Sequence, residues 1–250
     1  MSSIFAVANQ KGGVGKTTTV ASLGVALASM GRRVLLVDLD PQACLTFSLG
    51  LDPDDTEPTI QDVLTGRAEI RKTLVALDEG VDLIPANIDL AGAESYLITR
   101  TGREYALSSV LSPLASEYDV VLVDCPPSLG VLTLNALTAA DEVIIPVQCE
   151  TLSHRGVSQL MDTIADVRRL TNRRLKVRGL LPTLFDGRTN HAKEVLADIG
   201  TRYRLNVLDP PVRRSIRFAE APKEGRSIYA YAPSVPGAQA YLDIAQGLVK

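Results

Sequence analysis

The stretch NQKGGVGKTTT, residues 9–19, packs three glycines, two lysines and three threonines into eleven positions. Glycines at 12, 13 and 15 let backbone amides come close to phosphate oxygens, and a helix opening directly after them adds its partial positive charge. Val14 completes the loop. Lys16 is then placed to reach the β and γ phosphates, and the Thr17 hydroxyl to ligate Mg²⁺. The stretch departs from G-x-x-x-x-G-K-[ST] at Gln10, which stands where the first glycine belongs, and it carries a second cation, Lys11, five residues before Lys16.

Two further segments point to the same chemistry. RVLLVD (33–38) runs into Asp38-Leu39-Asp40-Pro41, where either carboxylate can meet metal or water. DVVLVD (119–124) ends in Asp124 after an apolar run, the place of a carboxylate that holds Mg²⁺ through its water shell.

The elements that must position these groups follow from the apolar pattern. Runs rich in Val, Ile and Leu occur at 4–8, 33–38, 81–86, 119–124, 142–147, 177–182 and 205–208, and read as strands buried on both faces. Between them lie stretches of helical period. Thr17–Met30 places Val20, Leu23 and Leu27 on one face and ends before Gly31, a C-terminal stop. Alternating strands and helices with right-handed crossovers predict an α/β fold: a single domain over residues 1–250 with a mostly parallel twisted sheet and helices on both faces, binding ligand beyond the strands' C-terminal ends.

No apolar run approaches the roughly 18 residues needed to span a bilayer. The N-terminus enters its first apolar run without the basic start of a signal peptide, which predicts a cytoplasmic protein. The cysteines, Cys44, Cys125 and Cys149, are odd in number and far apart, which favours buried structural thiols over disulfides or a metal site. The two histidines, His154 and His191, are not spaced as metal ligands and read as surface residues. Net charge is −3, yet residues 168–217 hold 13 Lys or Arg and 4 Asp or Glu, a local excess of +9. Such a stretch can offer one basic face to nucleic acid, with the acidic remainder aiming it at a duplex.

The KGGVGKTTT loop, DLDPQ (38–42) and DCPPSLG (124–130) resemble the deviant Walker ATPases with a P-loop NTPase fold, most closely the ParA/Soj chromosome and plasmid partition proteins. The similarity continues through NALTAADEVIIPVQCE (135–150), RTN (188–190) and EAP (220–222), nearly the whole chain. It implies a Mg²⁺-dependent ATPase that forms a homodimer with ATP. Lys11 would reach across the dimer to the partner's nucleotide like an arginine finger, and Gly12 would leave room for two facing loops. Lys16 would act in cis, Thr17 would ligate Mg²⁺, Thr18 would touch phosphate, Asp40 would position the attacking water and Asp124 would hold the metal's water shell. Asp38 is left a supporting role. The resemblance also implies nonspecific double-stranded DNA as a partner of the ATP dimer, a nucleoid-associated location and a ParB-like protein that stimulates hydrolysis. Arg188 and Arg217 align with DNA-binding arginines, and Arg213 and Arg214 would widen the patch. Two segments depart from the family: Arg213-Arg214-Ser215 replaces P-R-N in the adenine loop, and Ser153-His154-Arg155-Gly156 replaces A-L-E-G.

Other readings are a MinD-like membrane-cycling or cargo-positioning ATPase and a nitrogenase-reductase or iron–sulfur scaffold relative. The first calls for a basic amphipathic C-terminus, whereas YLDIAQGLVK has a narrow stripe of Tyr241, Ile244, Ala245 and Leu248 that reads as a packed helix. No membrane partner is expected. The second calls for paired interface cysteines, which the spacing does not provide.

Overall fold

The computed structural model of the protein describes residues 2–149, 153–187 and 190–249. Among these, seven strands form one sheet: β1 (Ser3–Val7), β2 (Val34–Asp38), β3 (Val75–Ala76), β4 (Val81–Ile84), β5 (Val120–Asp124), β6 (Glu142–Gln148) and β7 (Lys176–Thr183). Their order is β3-β4-β2-β5-β1-β6-β7. Every pairing is parallel except β3 with β4. The helices are α1 (Lys16–Ser29), α2 (Cys44–Ser48), α3 (Ile60–Leu64), α4 (Leu90–Ile98), α5 (Ala106–Ala115), α6 (Val131–Ala139), α7 (Ser153–Leu170), α8 (Asn190–Tyr203), α9 (Arg217–Glu220), α10 (Ile228–Tyr231) and α11 (Pro236–Leu248).

Strand side chains alternate between two cores, as a period of two requires. Leu35, Val37, Val121 and Val123 face α3 to α8, where Leu90, Leu111, Leu132 and Leu160 are buried. Phe5, Val7, Leu36 and Leu122 face α1 and α11, where Leu23, Leu27 and Tyr241 are buried. Every residue of β2 and β5 is buried, which explains their unbroken apolar runs.

Helix α1 begins at Gly15, held at φ 83°, and stops at Gly31, at φ 77°, whose N–H bonds the Ala28 carbonyl at 2.9 Å. It lies close on the sheet: a Cβ at Gly24 would sit 2.6 Å from Leu36 Cδ2. Tyr241 of α11 closes over it, its hydroxyl 3.0 Å from Thr19 Oγ1. The C-terminal stripe of Tyr241, Ile244 and Ala245 is therefore core. Among the described residues no helix is long and apolar enough to cross a membrane.

Six of the seven apolar runs form strands, and the run at 205–208 does not. It makes a single parallel bridge, Leu180 with Val207, supported by Leu180 N–H to Asn206 O and Leu208 N–H to Leu180 O, both 2.8 Å. Arg204 at φ 54° precedes it, and Pro210 and Pro211, without N–H donors, stop any ladder after it. The two-residue β3 is too short to show an alternating pattern. At the sheet's other side, Gly50 and Gly225 meet backbone to backbone. A Cβ on Gly50 would lie 2.9 Å from the Gly225 carbonyl oxygen, and one on Gly225 would lie 2.7 Å from Gly50 Cα.

Candidate active site

Strand β5 lies between β1 and β2, and Asp124 is in register with both Val7 and Asp38. The phosphate loop after β1, the 38–42 segment after β2 and Asp124 therefore emerge side by side at the strands' C-terminal edge, where open α/β sheets bind ligand. The Leu39 N–H bonds Asp124 O at 3.0 Å and ties two of these segments together. Within the loop Gly13 has φ 71° and Gly15 φ 83°, conformations that turn backbone amides inward at little cost only for glycine. An added Cβ at Gly12 would meet nothing nearer than Pro127 Cβ, at 4.0 Å. Thr18 lines a cleft with Phe218, Ala221 and Pro222, so the E-A-P segment meets α1 there.

The charged groups converge. The Thr17 hydroxyl donates to Asp124 Oδ2 at 2.7 Å, while Asp124 Oδ1, buried, accepts no hydrogen bond. Burial, reinforced by the like charge of Asp38, raises the Asp124 carboxyl well above the usual carboxylate range. Lys16 is only 7% exposed, and burial lowers its pKa against the opposing pull of Asp124 and Asp40. Its Nζ donates to the Lys11 carbonyl at 3.4 Å, a long bond readily exchanged for a phosphate oxygen. Asp40, only 8% exposed, accepts the Gln42 N–H on Oδ1 at 2.9 Å. Asp38 is a clamp: Oδ2 accepts the Thr46 N–H and hydroxyl, both at 2.8 Å, and Oδ1 accepts the Asp40 N–H at 3.2 Å. Burial pushes its carboxyl up to about 6.

Thr183 was not singled out by its sequence. At the end of β7 its hydroxyl donates to Val14 O at 2.6 Å and fixes the middle of the phosphate loop. Its signal is the one Asp124 gives, a polar residue closing a buried strand.

The basic segment departs from expectation. Because α7 and α8 run antiparallel to the strands, the fold divides it between opposite ends of β7. Arg168, Arg169, Arg173, Arg174, Lys176, Arg202 and Arg204 cluster about the N-terminal end. Several are engaged there: Arg168 Nε donates to Leu175 O at 2.8 Å, and Arg169 pairs with Asp166 at 2.8 Å. Arg213, Arg214 and Arg217 lie beyond the C-terminal end, exposed, because Val212 bonds Pro182 and Phe185. Among the described residues the basic groups thus fall at the two ends of β7 and not on one face, and only those at the C-terminal end share an edge with the phosphate loop. Arg217 pairs with Glu220 at 2.8 Å. Arg188 lies outside the described residues. The thiols also differ from expectation: Cys125 is buried, Cys149 partly so and Cys44 exposed. His154 is half-buried, its Nε2 3.2 Å from Asp198 of α8.

Residues 2–177 match the family described as AAA domain, AAA_31. The sporulation initiation inhibitor protein Soj of Bacillus subtilis is 44% identical over 247 residues, 98% of this chain and 98% of that protein. The chromosome partitioning protein ParA of Myxococcus xanthus is 43% identical over 248 residues, 99% of this chain and 88% of that protein. Among solved structures, the cobyrinic acid a,c-diamide synthase of Mycobacterium smegmatis with bound ATP analog and magnesium is 55% identical, with a TM-score of 0.90, over 100% of this chain and 95% of that one. On this likeness and on the loop geometry, the chain belongs to the AAA_31 family of P-loop proteins, alongside Soj and ParA.

Proposed function

We propose that the protein is a Mg²⁺-dependent ATPase that dimerises with ATP, holds nonspecific DNA as the dimer, and lets go when a partner stimulates hydrolysis. The observation that carries the reading is the meeting of Lys11, Lys16, Thr17, Asp40 and Asp124 at the ends of three adjacent strands.

The residues fit the nucleotide and the metal. Gly13 and Gly15 shape an amide cradle, and Asp124 Oδ1 is a buried acceptor that lacks a protein partner. Among the described residues no group of three or more His, Cys, Asp and Glu is disposed to hold a metal, which suits an ion held partly by substrate phosphates. Bound Mg²⁺ supplies positive charge to the β and γ oxygens. The chain's own groups do the rest: Lys16 exchanges the Lys11 carbonyl for phosphate, Thr17 and Asp124 orient the metal's surroundings, and Asp40 orients water with the oxygen not given to Gln42. Lys11 acts in trans, which makes hydrolysis depend on the dimer. Since no described residue demands glycine at position 12, that requirement is assigned to the facing loop. The location that follows is cytoplasmic and nucleoid-associated.

The diamide synthase name of the solved relative points to ATP-driven amide formation. Drawing nitrogen from glutamine would call for an activated thiolate. Burial instead raises all three thiols: Cys44, Cys149 to about 11, and Cys125 further still. We favour the partition reading on the likeness to Soj and ParA over nearly the whole chain.

The test is DNA retention by wild type and by Asp40→Ala, with and without ATP. Wild type should hold duplex DNA only with ATP, and Asp40→Ala should hold it persistently because the water-positioning step is lost. Equal retention with and without ATP would refute the switch.

A further inference from the structure

We infer that Asn9 is the positioning residue for Lys11; this deepens the reading above and rests on Lys11 acting in trans. Strand β1 pairs with β6 through Val7 opposite Ile144, and the ladder continues with Ala8 N–H to Ile144 O at 3.2 Å. In a continuing parallel ladder the next donor, to the carbonyl of Pro146, would be the backbone N–H of residue 10. The chain turns away instead, and the side-chain Nδ2 of Asn9 donates to Pro146 O at 2.7 Å. A side chain thus takes over the ladder where the phosphate loop leaves the sheet.

The other end of the same carboxamide holds Lys11: Asn9 Oδ1 accepts the Lys11 N–H at 3.0 Å. The assignment of the two ends is forced, since a carbonyl can only accept and an N–H only donate. Asn9 is 4% exposed; its bond to Pro146 is buried and its bond to Lys11 is partly so. Helix α7 closes over the link at Gly156, where a Cβ would lie 3.0 Å from Asn9 Oδ1 and 3.8 Å from Lys11 Cβ. This gives a physical role to the glycine of Ser153-His154-Arg155-Gly156. The Lys11 carbonyl is held as well, by Lys16. That bond is the one Lys16 gives up to phosphate, so with nucleotide bound the Asn9 bond is what still holds the Lys11 backbone, and Asn9 sets the point from which its side chain departs toward a second subunit.

The experiment compares Asn9→Ala, Lys11→Ala and the double variant for ATP affinity of the monomer and for single-turnover hydrolysis by the dimer. Asn9→Ala should lower kcat on the order of 10- to 100-fold, as misplacing a reacting group does, with monomer ATP affinity within about threefold. Adding it to Lys11→Ala should cost nothing further, because a residue acting only through Lys11 has no effect once Lys11 is gone. Asn9→Asp, which can still accept from Lys11 but cannot donate to Pro146, should not rescue. An additive loss in the double variant, or ATP affinity falling with kcat, would overturn the inference while leaving the Lys11 reading intact. Unchanged hydrolysis in Lys11→Ala would overturn that reading itself. If Asn9→Ala does not fold, Gly156→Ala, which presses on the same oxygen, should reproduce the kcat loss, and wild-type turnover in it would count against the link.

Discussion

Removing the charge of Asp124 should make the ligand-free protein more stable and its nucleotide chemistry worse. The carboxylate is fully buried, one oxygen takes the Thr17 hydroxyl, and the other has no partner. A buried acceptor left unsatisfied costs about 1–3 kcal/mol, and more if charged, and Asp38 adds like charge from the neighbouring strand. Asp124→Asn keeps the shape, removes the charge and can still accept from Thr17. Its amide leaves an N–H donor unpaired where Asp124 Oδ1 was, and Lys16 loses an opposing charge, so only the cost of the buried charge is relieved and the gain without ligand should be about 1 kcal/mol, or roughly 2–4 °C in Tm for a chain of this size. The assay is thermal melting at pH 8 in chelator, then with ATP and excess Mg²⁺. Wild type should gain about 2.7 kcal/mol once ligand reaches roughly 100 times Kd, and the variant should lack the part of that gain that needs Mg²⁺. A variant that melts at or below wild type in chelator refutes the costly carboxylate, and an equal Mg²⁺ increment in both removes Asp124 from the metal's surroundings.

Gly24→Ala should cost about 1–3 kcal/mol of overpacking, because its Cβ would meet the buried Leu36 at 2.6 Å; a denaturation midpoint at or above wild type would show that the helix lies less tightly on the sheet. For Asp38, the folded carboxyl holds its proton up to about 6 against a usual 3.8, so the folded state binds more protons in that window. Its contribution is most favourable below pH 4 and should worsen by roughly 3 kcal/mol as pH rises to 6, read as the stability difference between wild type and Asp38→Asn; a flat difference between pH 4 and 7 would contradict it. Arg214→Glu or Arg217→Glu should flatten the log–log salt dependence of DNA binding by roughly 0.9 per lost contact, whereas Arg174→Glu, at the far end of β7, should leave it unchanged; equal effects from all three would mean that the division into two patches has no bearing on DNA.

The sequence carried the site well where one residue type could serve one purpose at one kind of place. Asp124 and Asp38 close runs that are apolar throughout, and such runs become fully buried neighbouring strands, so their ends had to meet. The glycines of the loop announce backbone conformations that need no tertiary partner to be recognised. Thr46, Thr183 and Asn9 were not legible in the same way. Each acts through a hydrogen bond with a segment distant in sequence, Thr46 with Ala86, Thr183 with Val14 and Asn9 with Pro146; the end of a buried strand could have marked Thr183 itself, but no local pattern marks the partner. The basic segment misled for a related reason: charge counted along the chain ignores that α7 and α8 reverse direction, and eight residues of β7 then separate what the count had joined.

The contact of Gly50 with Gly225 has a bearing on inheritance. Neither position can gain a side chain while the other loop stays where it is, and both sit at positive φ, 90° and 60°. The two loops, about 175 residues apart in the chain, are therefore a single heritable part. Among relatives, a bulkier residue at one position should come with a changed length or path of the other loop. A chimera that imports one of the two loops from such a relative should fail where a chimera that imports both succeeds.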